Sequence, residues 1–356
     1  MSWQRTARAL AAIGLVGAAV CTPQAVTMAR PKREPVVEAP PPPPPPAGPV
    51  ALPARTLADA AAFQAYLERV GGASPAFTSG AGVAVTLRDA AAYEPRALIR
   101  GAIAYAAIAA LQNQQFVAEL RSAGNSPDNR RLMAGYLMAD PAYALLFRGS
   151  QGAAGFARQA LADAGLKLYG TGKTVRQASY DIQHQAWSKV DVADRPTRLA
   201  AVEAAGQQPL PDAADHVPAL QQAVTGAAPL RISGGDLSPP YTPLVAKAVQ
   251  LAGIAALGEA SDELYERLAG LAADEPTDNC LHIAKLNLNQ CLAVARPNYE
   301  DVFCAGQHAM MDTGACMVRN AGLSLPAEPP ALGPTVTFTA VKPHPAHTTV
   351  HRSRKG

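Results

Sequence analysis

From Thr277 to Met317 the chain reads TDNCLHIAKLNLNQCLAVARPNYEDVFCAGQHAMMDTGACM, a stretch that holds Cys280, Cys291, Cys304 and Cys316. Thr277 or Asp278 is suited to cap a helix that runs to about Ala295. Arg296-Pro297-Asn298 then makes a turn, and a second helix starts near Tyr299. Cys280 and Cys291 are eleven residues apart, which leaves them roughly 20° from the same helical face. Both therefore point at one partner helix. Cys304 and Cys316 are twelve apart and roughly 120° out of phase in an ideal α-helix. Gly314 is expected to break the second helix and bring Cys316 back into reach.

Antiparallel helices join their nearest and farthest ends, so a nested pairing follows, Cys291 with Cys304 inside and Cys280 with Cys316 outside. A bridge from Cys280 to Cys291 is excluded, because ~16 Å of helix axis separates them and a disulfide needs Cα atoms within about 7 Å. The layout resembles the twin-cysteine hairpins of the mitochondrial CHCH proteins. Those space their cysteines as Cys-x9-Cys in both helices, whereas the intervals here hold ten and eleven residues, so no function is carried over. The competing metal site would use Cys280, His282, Cys291 and His308, with Met310 and Met311. No Cys-x2-4-Cys knuckle occurs among them, so disulfides are expected and a metal is not. Met310, Met311 and Met317 are read as core filler.

Outward from this hairpin, the fold class expected is mainly α, a bundle-like helical body carrying the stapled hairpin at its C-terminal side. Ser126-Pro127, Asp140-Pro141 and Thr242-Pro243 each set a capping side chain before a proline, the order of N-cap and first helical residue. Thr56 with Asp59 reads as a capping-box variant. Helices are expected near 57–70, 95–122, 127–139, 141–148, 153–164, 174–188, 197–205, 243–257 and 261–273. Short strands are expected at Val83–Leu87 and Val336–Val341. Gly101 to Leu111 is apolar throughout and is read as a buried central helix. The domains are then a signal peptide (1–29), a proline-rich linker (30–55), a helical body (56–275) and the four-cysteine hairpin (276–323). A Pro- and His-containing basic tail (324–356) follows, expected to be unstructured. Residues 206–242, rich in Pro, Gly, Gln and Asp, would separate two lobes. No repeat at solenoid periods is visible.

The first thirty residues read as a secretion signal. Arg5 and Arg8 precede an apolar run from Ala9 to Val20 of signal-peptide length. Val16-Gly17-Ala18 and Thr27-Met28-Ala29 are cleavage patterns. A lipid anchor on Cys21 is the weaker reading, because Ala18 and Val20 stand where a lipobox places Leu and a small residue. The Ala-, Arg- and Pro-heavy composition suggests a bacterium, which makes the destination the periplasm or the medium. Without Cys21 an even set of four cysteines remains, as an oxidising compartment favours. Seven consecutive prolines from Pro40 to Pro46 make a semi-rigid spacer at about 3.1 Å per residue.

Charge argues against a nucleic-acid partner. The chain of 356 residues carries +3, of which residues 1–29 hold +2 and residues 329–356 hold +4. The stretch 30–328 is left at −3, the wrong sign for a phosphate-binding face. No apolar run reaches the ~18–20 residues of a membrane span, so none is expected in the mature chain.

Catalytic motifs fail one after another. Gly170-Thr171-Gly172-Lys173-Thr174 looks like a phosphate loop, but Lys167 stands where the first Gly is required, and the segment is read as a helix-start turn. Gly-x-Ser-x-Gly, Ser-x-x-Lys and His-Glu-x-x-His are all absent. Glu94 and Glu119, beside the apolar helix, would have raised pKa values if desolvated, but nothing pairs them. His184 fits a polar helix face, and His344, His347 and His351 fall in the tail. No catalytic residue and no cofactor are assigned. The function expected is that of an exported, non-catalytic envelope protein with a structural or interaction role, its partner an envelope protein or cell-wall component. An α-helical wall-active enzyme and a periplasmic small-ligand-binding protein are the alternatives.

Overall fold

The computed structural model describes residues 48–327. The signal segment, Cys21, the run Pro40–Pro46, the strand at Val336–Val341 and the tail histidines lie outside the described residues. Among the described residues the fold is all-helical. Thirteen α-helices are joined by short 3-10 turns, and no strand forms beyond one isolated bridge between Asp191 and Pro297.

The three cap-and-proline signals each open a helix. Ser126 accepts from the Asn129 amide, Asp140 from Ala142 and Thr242 from Val245, each with a proline next in the chain. They open α5 (Pro127–Ala139), a 3-10 helix (Pro141–Leu146) and α9 (Pro243–Ala256). Each side-chain oxygen satisfies an amide that a helix N-terminus leaves without a partner. The capping box at Thr56 is not used. α1 (Ala54–Gly71) starts three residues earlier, behind Pro53, and the Ala54 amide donates to Asp262 at 2.6 Å.

The core is built on α3 (Pro95–Ala110), which packs against α1, α9 and α6 (Ser150–Asp181). Leu98, Ile99, Ile103 and Ile108 are fully buried, each contributing roughly 1.5–3 kcal/mol of hydrophobic stabilisation. The expected continuous helix 95–122 divides at Gln112. Asn113 accepts from the Phe116 amide and starts α4 (Gln114–Ala123). The expected strand Val83–Leu87 is instead helical, within α2 (Gly80–Ala91). Ser79 caps it, and Val83, Leu87, Ala90 and Ala91 are buried, a helical spacing that a five-residue window could not distinguish from a strand.

A second correction concerns α6. The separate helices expected near 153–164 and 174–188 form one continuous helix, and Gly170-Thr171-Gly172 lies inside it. Gly172 is there because another backbone needs its space. A Cβ on Gly172 would stand 2.6 Å from the Gly306 carbonyl oxygen, and one on Gly306 would stand 2.4 Å from the Arg176 nitrogen. Two turns earlier, Gly165 and Gly314 meet in the same reciprocal way, at 2.7 and 2.5 Å from each other's carbonyl oxygens. Gly314 therefore does not break the hairpin's second arm; it lets that arm lie backbone to backbone against α6. Gly170, by contrast, faces open space. Gly170→Ala should stabilise the protein by roughly 0.5–1 kcal/mol, the ordinary helix-propensity gain. Gly172→Ala should destabilise it by about 1–3 kcal/mol, because the obstructing atoms include main chain. Urea midpoints of the two variants check the contrast.

The hairpin consists of α11 (Glu275–Val294), α12 (Asn298–Cys304), a π-helix (Ala305–Asp312) and α13 (Thr313–Asn320). Asp274 caps α11 by accepting from the Thr277 amide at 3.1 Å, so Thr277 receives the cap rather than providing it. Cys280 is bonded to Cys316 and Cys291 to Cys304, with Cα atoms 5.7 and 5.8 Å apart. The π-helix resolves the phase problem of the second arm. Each α residue turns about 100°, and a wider i→i+5 turn advances less per residue. Eight π residues absorb the excess of roughly 120°, and Cys304 and Cys316 face the same partner.

Residues 206–242, read as a seam between lobes, hold α8 (Val217–Thr225) and an extended segment laid over the start of α6. The Leu237 amide donates to the Gln151 carbonyl at 2.9 Å, and a Cβ on Gly155 would fall 1.7 Å from the Gly235 carbonyl oxygen. Between α6 and α8 lies α7 (Arg195–Ala205), and α10 (Tyr265–Leu271) precedes the hairpin.

Candidate functional site

A polar groove, with a cavity volume of about 510 Å³, opens where the end of α2 and the start of α3 meet α7 and α11. Its polar walls are Glu94, Glu203, Gln207, His282, Lys285 and Asn289. Leu281, Ala284, Leu288 and Leu292 form the buried stripe of α11, and Lys285 sits on that stripe, four residues after Leu281 and three before Leu288. A long charged side chain has been placed where the helix otherwise carries core residues.

Lys285 Nζ donates to the Ala91 carbonyl at 3.0 Å and lies 3.8 Å from the centre of the Tyr93 ring. Ala91 ends α2, and its carbonyl, which also accepts from the Tyr93 amide at 2.9 Å, lies at a helix C-terminus whose dipole favours a cation. The ring adds a cation–π contact and is itself fixed, its hydroxyl 2.7 Å from Thr313 Oγ1. No carboxylate forms an ion pair with Nζ among the described residues. Burial pushes the amine down from the ordinary lysine range to about 8, opposed by the more distant charge of Glu94.

The sequence candidates are distributed unevenly around this groove. Glu94 and His282 both line it. Glu94 is a helix cap, its two carboxylate oxygens accepting from the Arg96 and Ala97 amides at 2.9 and 2.7 Å. His282 Nδ1 lies 2.9 Å from the Asp278 carbonyl, at the groove's exposed edge. Glu119 lies elsewhere, half-buried on α4, and His184 is exposed in the turn after α6. His308 Nδ1 pairs with Asp312 at 2.8 Å. Cys280 and Cys291 are spent in disulfides and offer no thiolate to a metal. Among the described residues no group of three or more His, Cys, Asp or Glu side chains is placed to hold a metal ion. Met310 and Met317 are fully buried in the core.

Sequence reasoning passed over Lys285, Arg195 and Arg198. The signal for Lys285 was its isolation, since it is the one lysine between Lys247 and Lys342 and falls at core spacing. The two arginines stand three apart on α7 and serve the hairpin's turn. Arg195 donates to the Ala293 and Ala295 carbonyls at 2.7 Å each, and Arg198 donates to Leu292. These are the carbonyls that the end of α11 leaves open, and basic side chains satisfy them. Arg198 is also ion-paired with Asp301 on α12, both side chains buried. Burial pushes the Asp301 carboxyl up, and Arg198 opposes that shift. This clamp holds α7, with Glu203 and Gly206, against the groove.

A second groove, of about 440 Å³, flanks the inner disulfide and is lined by Tyr180, Val294, Tyr299 and Phe303. Tyr180 meets Phe303 edge-on with ring centres 6.2 Å apart. Tyr180 is 52% exposed and Val294 74% exposed, an apolar surface that water meets directly. No helix among the described residues is long and apolar enough to cross a membrane. Comparison with protein-family models, curated proteins and solved structures finds no match to this chain.

Proposed function

We propose that this chain is an exported envelope protein, periplasmic or secreted, that acts without catalysis through a structural or interaction role. The observation that carries the reading is the pairing of all four hairpin cysteines, in a chain that opens with Arg5, Arg8 and a short apolar run. Disulfides of this kind persist in oxidising compartments. The aromatic groove at Tyr180, Val294 and Phe303 supports the interaction side of the reading, because exposed apolar surface beside polar rims marks contact sites. The partner is an envelope protein or a cell-wall component.

Fractionation of cells making the untagged protein tests this. The expected species is in the periplasm or medium, shortened at its N-terminus, with no hairpin thiol open to alkylation. Retention of Met1 in a cytosolic species with free hairpin thiols overturns the export reading. A photo-crosslinking residue at position 294 should give a discrete adduct in the envelope fraction that Phe303→Asp abolishes. Adducts indifferent to that change overturn the interaction reading.

A further inference from the structure

An ammonium has three N–H donors and prefers water or a carboxylate. Lys285 has one main-chain carbonyl and the face of a ring, in a groove whose carboxylates stand off from it. The groups that face it are few. Glu94 comes from the cap of α3, Glu203 from α7, His282 from its own helix, and Tyr93 from the loop between α2 and α3. Gly206 matters as much as any of them, because a Cβ there would stand 2.8 Å from Nζ. Glycine at this position leaves the amine uncovered on the side of α7. A lysine that serves only as packing or as a helix cap does not need a groove of about 510 Å³ at its tip.

We propose that Lys285 is a covalent-capture residue, its amine adding to the carbonyl carbon of a small polar aldehyde held in this groove. The nitrogen lone pair forms the C–N bond while the carbonyl π pair moves to oxygen. Proton transfer from nitrogen to that oxygen gives a carbinolamine. Loss of the hydroxyl as water, with the last nitrogen proton, leaves an imine, so no electrons are exchanged and water is the by-product. Glu203 and His282 on the groove wall carry these protons, and Gln207 and Asn289 offer hydrogen bonds to a hydroxylated ligand. With its amine near 8, about one Lys285 in ten is neutral at pH 7, against fewer than one in a thousand for an ordinary lysine. This inference stands apart from the export and interaction reading and survives its failure.

The test is reductive trapping on the oxidised full chain. Glycolaldehyde and cyanoborohydride are added at pH 7, and the modified lysines are mapped by peptide mass spectrometry over time. Lys285 should be modified at least tenfold faster than the exposed Lys167 and Lys189. Its rate should level off above about pH 8 while theirs keep rising. Gly206→Ala should slow Lys285 several-fold and leave Lys189 unchanged, with the disulfide map confirming the fold. Lys285 labelled no faster than the exposed lysines in the unaltered protein overturns the proposal, whether or not the Gly206 variant folds. A Lys285 rate indifferent to Gly206→Ala, in a folded variant, overturns the role of the groove.

Discussion

Replacing Cys280 and Cys316 together by serine lowers stability by about 4 kcal/mol, and replacing Cys291 and Cys304 lowers it by about 3 kcal/mol. The bridges span 36 and 13 residues, and closing the longer loop removes more entropy from the unfolded chain. The two losses do not add, because the inner bridge already shortens the chain that the outer one closes. Either is a large share of a typical net stability of about 5–15 kcal/mol. A free-standing hairpin would loosen over residues 278–320 and leave the body intact. The structure changes that expectation. The second arm packs along α6 through the Gly165–Gly314 and Gly172–Gly306 contacts, and Cys304 and Cys316 are buried in the shared core. Loosening should therefore reach the C-terminal half of α6. Hydrogen exchange of oxidised and reduced protein checks this. Faster exchange confined to 278–320, with α6 unchanged, would show that the hairpin is an independent unit.

What could be read from the residues was set by how local each signal is. Caps are local, so Ser126, Asp140 and Thr242 announce their helices from a window of a few residues. The helical class followed from such starts and from Ala- and Leu-rich segments between them. Gly170 and Gly172 show where that logic ends. Both look like breakers in sequence, yet one faces solvent and the other meets a backbone more than a hundred residues away. Only the partner distinguishes them. The π-helix was hidden for a related reason, since Ala305–Asp312 has no composition that marks a wider turn. The 120° mismatch between Cys304 and Cys316 is its trace, and a break at Gly314 would explain that mismatch equally well from sequence. At the groove, Glu94 and His282 were visible as residue types, but their meeting with Lys285 depends on how α3, α7 and α11 cross. The arginine clamp likewise joins Arg198 to Asp301 across an interval that no periodicity spans.

That clamp is the other place where one substitution should cost most. Arg198→Ala is expected to lower stability by about 3–5 kcal/mol, because it strands the buried Asp301 carboxylate and opens the Leu292 carbonyl at the end of α11. The loss should depend on pH in a direction that separates it from simple loss of packing. Burial already holds the Asp301 carboxyl above its ordinary value, and removing the guanidinium that opposes burial raises it further. A carboxyl raised in the folded state binds more protons there than when unfolded, so the variant loses stability as pH climbs from about 3.9 to the raised value. Above that value the deficit is full, and on acidification toward pH 4 it should shrink as Asp301 becomes neutral. Denaturation of Arg198→Ala and the unaltered protein at several pH values measures this. A deficit that does not change with pH would mean that lost packing, rather than the stranded charge, sets the cost. Arg198→Met with Asp301→Leu supplies the complementary result. With both charges gone and the volume kept, stability should recover most of the loss, since a well-packed apolar pair replaces a buried ion pair at little cost. The open Leu292 carbonyl keeps the recovery incomplete. Because α7 also carries Glu203 and is followed directly by Gly206, the double variant should still trap aldehyde at Lys285 if α7 stays seated, and Arg198→Ala should trap it less selectively.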